Sequence, residues 1–184
     1  MKDFTRKDTA FSLCGLNCNL CPMRLGGYCP GCGGGTGNQP CAIARCSLEH
    51  NRVEYCFLCP DFPCQKYDGA EEYDSFITHQ RQLSDLNRAK EIGIEANNFE
   101  QIRKSEILQT LLAKYNDGRR KTFYCVAVNL LPLPRIERIM EQAATNTSIW
   151  SLSIKEKTAY MVALFQDQAS QEGLVLKLRK KPAD

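Results

Sequence analysis

The chain has only two histidines, His50 and His79, in 184 residues. With the acids scattered rather than paired, there is no serine–histidine–acid relay and no two-carboxylate site to argue for. Both histidines sit in polar runs, Glu49-His50-Asn51-Arg52 and Thr78-His79-Gln80-Arg81, and read as exposed bystanders, with His50 a reserve ligand. Long apolar runs are also missing, so no membrane span is expected. The N-terminal Met1-Lys2-Asp3-Phe4-Thr5-Arg6-Lys7-Asp8 lacks the apolar stretch of a secretory signal, and a cytoplasmic address is expected. There is no concentrated cationic stripe either. Lys and Arg number seven through Lys66 and seventeen after it, against five and sixteen acids, so nucleic acid is not indicated as a partner.

A further scarcity is local. Between Cys14 and Lys66 large apolar side chains are thin, while Pro22, Pro30, Gly26, Gly27, Gly31 and Gly33 to Gly35 punctuate the chain. Such a segment has little to bury. What it has is sulfur: ten of the eleven cysteines fall here, as Cys14-x3-Cys18-x2-Cys21, Cys29-x2-Cys32, Cys41-x4-Cys46 and Cys56-x2-Cys59-x4-Cys64. Disulfides need an oxidising compartment and leave an odd cysteine over, so metal ligation is the favoured reading. A structural zinc site contributes on the order of 10–16 kcal/mol at neutral pH, enough to hold a loop-rich segment. Two four-thiolate sites would also add −4 to the formal charge of +3, so the basic balance carries little meaning.

The most regular quartet is Cys18, Cys21, Cys29 and Cys32, two C-x2-C hooks with Gly33 placed so that backbone amides turn toward the last sulfur. A second quartet is drawn from Cys41, Cys46, Cys56, Cys59 and Cys64, with Cys14 and His50 in reserve. Interleaved pairing is equally allowed. Cys14-x3-Cys18-x2-Cys21 also matches the three-cysteine motif of radical S-adenosylmethionine enzymes, but those need a long series of strand–helix units, and nothing after residue 66 repeats in that way. Cys21-Pro22, Cys29-Pro30 and Cys59-Pro60 are similar to the Cys-Pro punctuation of ferredoxins, which keeps an iron–sulfur cluster as the alternative to zinc. Zinc stands first because separate two-residue hooks suit isolated tetrahedral ions.

After Lys66 helical periodicity takes over. Amphipathic segments are expected over residues 70 to 92, from a cap near Asn98 to Tyr115, over the apolar run Phe123 to Leu131, and after Pro134 through Ile136, Ile139, Met140 and Ala143. Ser153-x-x-Glu156 has capping-box spacing and opens a helix bearing Tyr160, Met161, Leu164 and Phe165. Gly173 ends it, and the alternation of Leu174-Val175-Leu176-Lys177-Leu178-Arg179 predicts a short strand. Cys125 reads as core. Gly118-Arg119-Arg120-Lys121-Thr122 reads as a solvated basic turn, with its cations and amides a less favoured anion site.

The pattern Cys14-Gly15-Leu16-x-Cys18-x2-Cys21-Pro22, Gly31-Cys32, Cys41-x4-Cys46, Cys56-x2-Cys59-Pro60-x2-Pro63-Cys64 resembles a prokaryotic cysteine-rich family catalogued as domain of unknown function 3795. Tyr115-Asn116-Asp117-Gly118-Arg119-x-Lys121-x-Phe123 and Leu176-Lys177-Leu178-Arg179-Lys180 extend the resemblance over nearly the whole chain. It implies a metal-binding role and says little about activity.

The sequence therefore predicts a mainly α protein with a small irregular cysteine-rich metal-binding module over residues 1–66, and a helical domain over 67–184 ending in a short strand. The expected function is cytoplasmic metal binding at Cys14, Cys18, Cys21, Cys29, Cys32, Cys41, Cys46, Cys56, Cys59 and Cys64. Two structural zinc sites would scaffold a docking surface for a protein partner. Iron–sulfur electron transfer is the alternative, and metal storage or sensing comes further behind. Nothing establishes an enzyme.

Overall fold

A computed structural model describes residues 3–35 and 41–182. Its regular structure is almost wholly helical. The α-helices are α1 (Pro22–Leu25), α2 (Ala42–Glu49), α3 (Gln82–Ile92), α4 (Ile94–Lys114), α5 (Lys121–Leu130), α6 (Leu133–Thr145) and α7 (Ile154–Gln171). Short 3-10 turns fall at Cys18–Leu20, Cys56–Leu58, Gln65–Tyr67 and Thr147–Ser151. Among the described residues strand pairing amounts to one isolated antiparallel bridge between Phe11 and Asn17. None of the described helices is long and apolar enough to cross a membrane.

The chain forms two compact units, Met1–Gln101 with Leu178–Asp184, and Ile102–Lys177. The sequence places a boundary at residue 66, where the cysteines end; the compact unit runs 35 residues further by number. The reason lies in burial. Phe11, Tyr55 and Tyr67 from the cysteine loops pack with Leu86 and Ala89 of α3 in one apolar cluster, and Cys14, Cys56 and Cys64 lie against it. A second cluster joins Phe4, Leu13 and Ala44, with Cys32 and Cys41 at its edge. The cysteine segment has a small apolar core after all, completed by a helix from outside the segment. Gly15 marks the contact: its φ is +97°, and a Cβ there would collide with the Gln82 carbonyl oxygen and the Leu86 side chain.

Helix α3 is shorter than the periodicity of residues 70 to 92 predicts. Residues 70 to 81 are turns because Asp74 gathers them: its carboxylate accepts from the His79 amide (2.7 Å), the Gln80 side chain (3.1 Å) and the Thr78 hydroxyl (3.3 Å). The Glu71 carboxylate then accepts from the Leu83 amide at 2.8 Å, supplying from a distance the cap that Arg81 does not provide. Helix α4 begins four residues before the expected cap at Asn98.

In the second unit α5 is the buried element. Tyr124 through Leu130 are all inaccessible, with Cys125 among them as core, as expected. Also buried in this unit are Leu108 and Leu111 of α4, Ile136, Ile139 and Ala143 of α6, and Met161, Phe165 and Ala169 of α7. Tyr124 donates to the Tyr115 carbonyl at 2.7 Å, and its ring meets Phe165 edge-on at 6.0 Å. The capping box of α7 forms, with the Ser153 side chain accepting from the Glu156 amide and Glu156 accepting from the Ser153 amide.

The terminal strand expected over Leu174–Arg179 does not form. Its alternation survives in burial, with Leu174, Leu176 and Leu178 half-buried and Val175, Lys177 and Arg179 exposed. Among the described residues no neighbouring strand pairs with it. Instead Arg179 exchanges two 2.7 Å hydrogen bonds with Asp74, its carbonyl accepting from the Asp74 amide and its amide donating to the Asp74 carboxylate.

Candidate metal centre

The cysteine loops are built from tight turns that place sulfurs at turn starts. Ser12 closes the first: the Leu16 amide donates to Ser12 Oγ (2.7 Å), and that hydroxyl lies 3.3 Å from Cys14 Sγ. The 3-10 turns at Cys18–Leu20 and Cys56–Leu58 each close with the next cysteine's amide, Cys21 to the Cys18 carbonyl (3.1 Å) and Cys59 to the Cys56 carbonyl (2.9 Å). That is the fold of a C-x2-C hook: one short helical turn brings two sulfurs to one side. Among the described residues the cysteines stand as thiols, not disulfides.

The sulfurs fall into two neighbourhoods. In the first, Cys14 feels Cys32 and Cys41, Cys18 feels Cys32, Cys14 and Cys21, and Cys32 feels Cys41, although among the described residues no three of these sulfurs lie within 4.8 Å of one another. This differs from the hook pair most regular in sequence, because Cys14 and Cys41 act on Cys32, and it differs from an interleaving of the first and third hooks too, since Cys18 stands with Cys32 while Cys56 and Cys59 line the cavity described next. Three backbone amides point at these sulfurs, Leu16 at Cys14, Cys32 at Cys18 and Leu13 at Cys32. Amide donors of this kind stabilise thiolate charge, the arrangement a metal–thiolate centre uses. Gly33, with φ of +79°, lets the chain turn, but the amide aimed at Cys18 is that of Cys32.

Arg6 is a member of this first site that the sequence does not single out. Its side chain is 2% exposed beside Glu54 at 3.5 Å. It donates to the carbonyls of Glu54 and Phe11 (both 3.0 Å) and lies 5.1 Å over the Tyr55 ring. Burial pushes the Cys32 thiol up, and the Arg6 guanidinium pulls against that. Arg6 and Cys32 are 26 positions apart by number, so only the folded chain brings them together. Of the remaining hook cysteines, Cys21 acts on Cys18.

The second neighbourhood is a cavity of about 30 Å³. Cys46 at the end of α2, Cys56 and Cys59 on the 3-10 hook, and Cys64 line its wall together with His50, Lys66 and Tyr67. A water needs roughly 10–15 Å³ measured in this way, so the space suits one small ion with little else. These four sulfurs belong to the five from which the sequence draws its second quartet; the fifth, Cys41, stands with the first group. Burial pushes Cys56 up to about 12, with Tyr67 beside it opposing the rise. The Tyr67 oxygen is buried with no hydrogen-bond partner among the described residues, and Cys56 is the polar group that acts on it most strongly. A thiolate at Cys56 would give that hydroxyl its acceptor. Burial also holds Cys14 near 11 and Cys18 near 12, so at neutral pH a bound cation has to displace their protons.

His50 is not the bystander its polar surroundings suggest. It caps α2, with Nδ1 2.8 Å from the Cys46 carbonyl oxygen and 3.5 Å from Cys46 Sγ. Its ligand atom, Cys59 Sγ and a carboxylate oxygen of Asp61 all lie within 4.8 Å of one another, a group able to hold a metal ion. Asp61 carries no sequence signal beyond its place in Cys59-Pro60-Asp61. His79 plays a turn role, its Nε2 3.0 Å from Ser75 Oγ. In the basic turn at 118–122 three amides are engaged: those of Gly118 and Arg120 donate to Asn116 Oδ1 and that of Arg119 to Asp117 Oδ1, at 3.0 to 3.1 Å. The Arg119 and Arg120 side chains are exposed.

Comparison of the chain with protein families, with curated proteins and with solved structures gave no match.

Proposed function

We propose that this is a cytoplasmic metal-binding protein whose cysteine-rich unit holds two structural zinc ions and thereby stiffens a docking surface for a protein partner. The observation that carries the reading is the ion-sized cavity walled by Cys46, Cys56, Cys59 and Cys64. Four cysteines in the lining of one small space supply the donor type and number that a closed zinc site takes, and an arriving ion would draw their sulfurs together. Cys14, Cys18, Cys32 and Cys41, with their amide donors, would hold the second ion. Cys21 and Cys29 then support the loops. On the same cysteine pattern we place the chain with the family catalogued as domain of unknown function 3795.

The docking role rests on what the sites display. Tyr28 and Leu58, next in sequence to Cys29 and Cys59, are 76% and 56% exposed. Large apolar side chains held out to water on metal-stapled loops suit a protein partner rather than a core.

One observation favours the iron–sulfur alternative. Cys14 feels Cys32 and Cys41, and it packs against the same apolar cluster as Cys56 and Cys64. The two centres are therefore neighbours, as electron transfer would require. Elemental analysis and an absorption spectrum of protein purified without oxygen separate the readings. A colourless chain with about two zinc ions is expected; a brown chain with iron and acid-labile sulfide would replace zinc with clusters. A folded chain that takes up neither would overturn both.

A further inference from the structure

Cys46, Cys56, Cys59 and Cys64 share the lining of one small cavity, and His50 and Asp61 lie where a path for an ion toward it would begin. Nδ1 of His50 is 2.8 Å from the Cys46 carbonyl oxygen. A carbonyl only accepts, so Nδ1 carries the hydrogen, and Nε2 of the neutral ring keeps its lone pair. That Nε2 lies 3.3 Å from Asp61 Oδ2. Fixing one ring nitrogen on a backbone carbonyl so that the other is presented to a cation is how metal-binding histidines are usually oriented.

The three donors span from cavity to solvent. His50 and Cys59 line the cavity, whereas Asp61 does not. The Asp61 side chain is 66% exposed and that of His50 34%. Nitrogen, sulfur and oxygen donors in a set of three, with the outer side open to water, form a site that binds a borderline ion without enclosing it. A closed structural site would need a fourth protein donor.

We propose that His50, Cys59 and Asp61 form an outer loading position for a divalent zinc-like ion, with Cys59 shared between it and the four-thiol cavity, so that metal passes to and from the inner site through Cys59. This rests on the reading of the cavity as a metal site. The carboxylate meets the hydrated ion, the imidazole replaces a second water, and Cys59 carries the ion inward to Cys46, Cys56 and Cys64. No oxidation or reduction is involved: thiol protons leave to solvent as the ion arrives.

The experiment uses the full reduced chain loaded with zinc. Transfer of zinc to excess 4-(2-pyridylazo)resorcinol is followed by absorbance for wild type, His50→Ala, Asp61→Asn and the charge-keeping Asp61→Glu, with total zinc measured after denaturation. Both His50 and Asp61 lie at the surface, and circular dichroism checks that the variants fold. The expected result is unchanged total zinc, with one transfer phase slowed at least about tenfold in His50→Ala and Asp61→Asn, and largely restored in Asp61→Glu. Unchanged kinetics in both would reduce the pair to a surface ion pair and overturn the proposal. Faster transfer with lost zinc would make His50 a holding ligand of the inner site and overturn it too. Wild type that takes up no zinc would instead bring down the reading of the cavity itself.

Discussion

Leu86→Ala should open the cysteine-rich unit although Leu86 is not itself a proposed ligand. Leu86 is fully buried on α3, packed with Phe11, Tyr55 and Tyr67. Truncation forfeits about 2–3 kcal/mol of apolar transfer free energy. The hole left behind is walled by rigid rings and by Gly15, whose backbone already abuts this side chain, so it collapses poorly and the total loss is about 3–4 kcal/mol. Better helix propensity for alanine returns only a few tenths of a kcal/mol or less. Against a typical stability of roughly 5–15 kcal/mol this is a large share. In metal-free, reduced protein, hydrogen exchange at the amide of the fully buried Leu20, which donates to the Asn17 carbonyl, should accelerate about a hundredfold or more, since each 1.4 kcal/mol is tenfold. Trp150 is the chain's single tryptophan and lies in the other unit, so its fluorescence supplies the internal control and should hold steady. An acceleration below about threefold would refute the argument that α3 completes the core of the cysteine segment.

Serine replacement of Cys56 or Cys32 should each lower metal content by about one ion per chain, whereas Cys125→Ser, in the α5 core, should leave it unchanged; mass spectrometry of metals reads all three, and equal loss would undo the ligand assignment. At Asp74 burial disfavours the charge, but the His79 and Arg179 amides and the Gln80 side chain outweigh it and hold the carboxyl below its usual range. A depressed folded value means that the tail anchor is fully present above the unfolded value, about 3.9, and is lost as pH falls through the folded one. The Arg179 amide should therefore stay protected from hydrogen exchange at neutral pH and lose protection only in stronger acid, whereas Asp74→Asn weakens it at pH 7. Ser153→Ala removes the acceptor for the Glu156 amide and should cost about 1 kcal/mol in thermal unfolding followed through Trp150, with Ser153→Asp retaining most of it.

Much of the helical part was legible because its signals are local. The Ser153–Glu156 box, the apolar run of α5 and the break at Pro132 and Pro134 each act within one or two turns, so neighbours in sequence suffice to read them. Residues 70 to 81 misled because apolar spacing is only a tendency, and the Asp74 carboxylate offers the same amides a different set of hydrogen bonds. The 174–179 segment misled for the complementary reason. Its alternation is real and governs burial, but a strand needs a partner, and among the described residues none lies alongside.

For the candidate site, spacing alone identified the cysteines and their hooks, since a C-x2-C turn is fixed by backbone geometry within four residues. Composition likewise determined that the segment from Cys14 to Lys66 is poor in large apolar side chains and rich in sulfur. Only the tertiary structure decided which sulfurs share a neighbourhood, that Arg6 and Tyr67 attend them, that His50 meets Asp61 across a cavity wall, and that α3 belongs to the cysteine unit. Several of those relations join positions far apart in the chain, such as Arg6 and Cys32, and even His50 and Asp61 are eleven residues apart. They depend on how loops cross one another in space, which local preference does not specify and packing does.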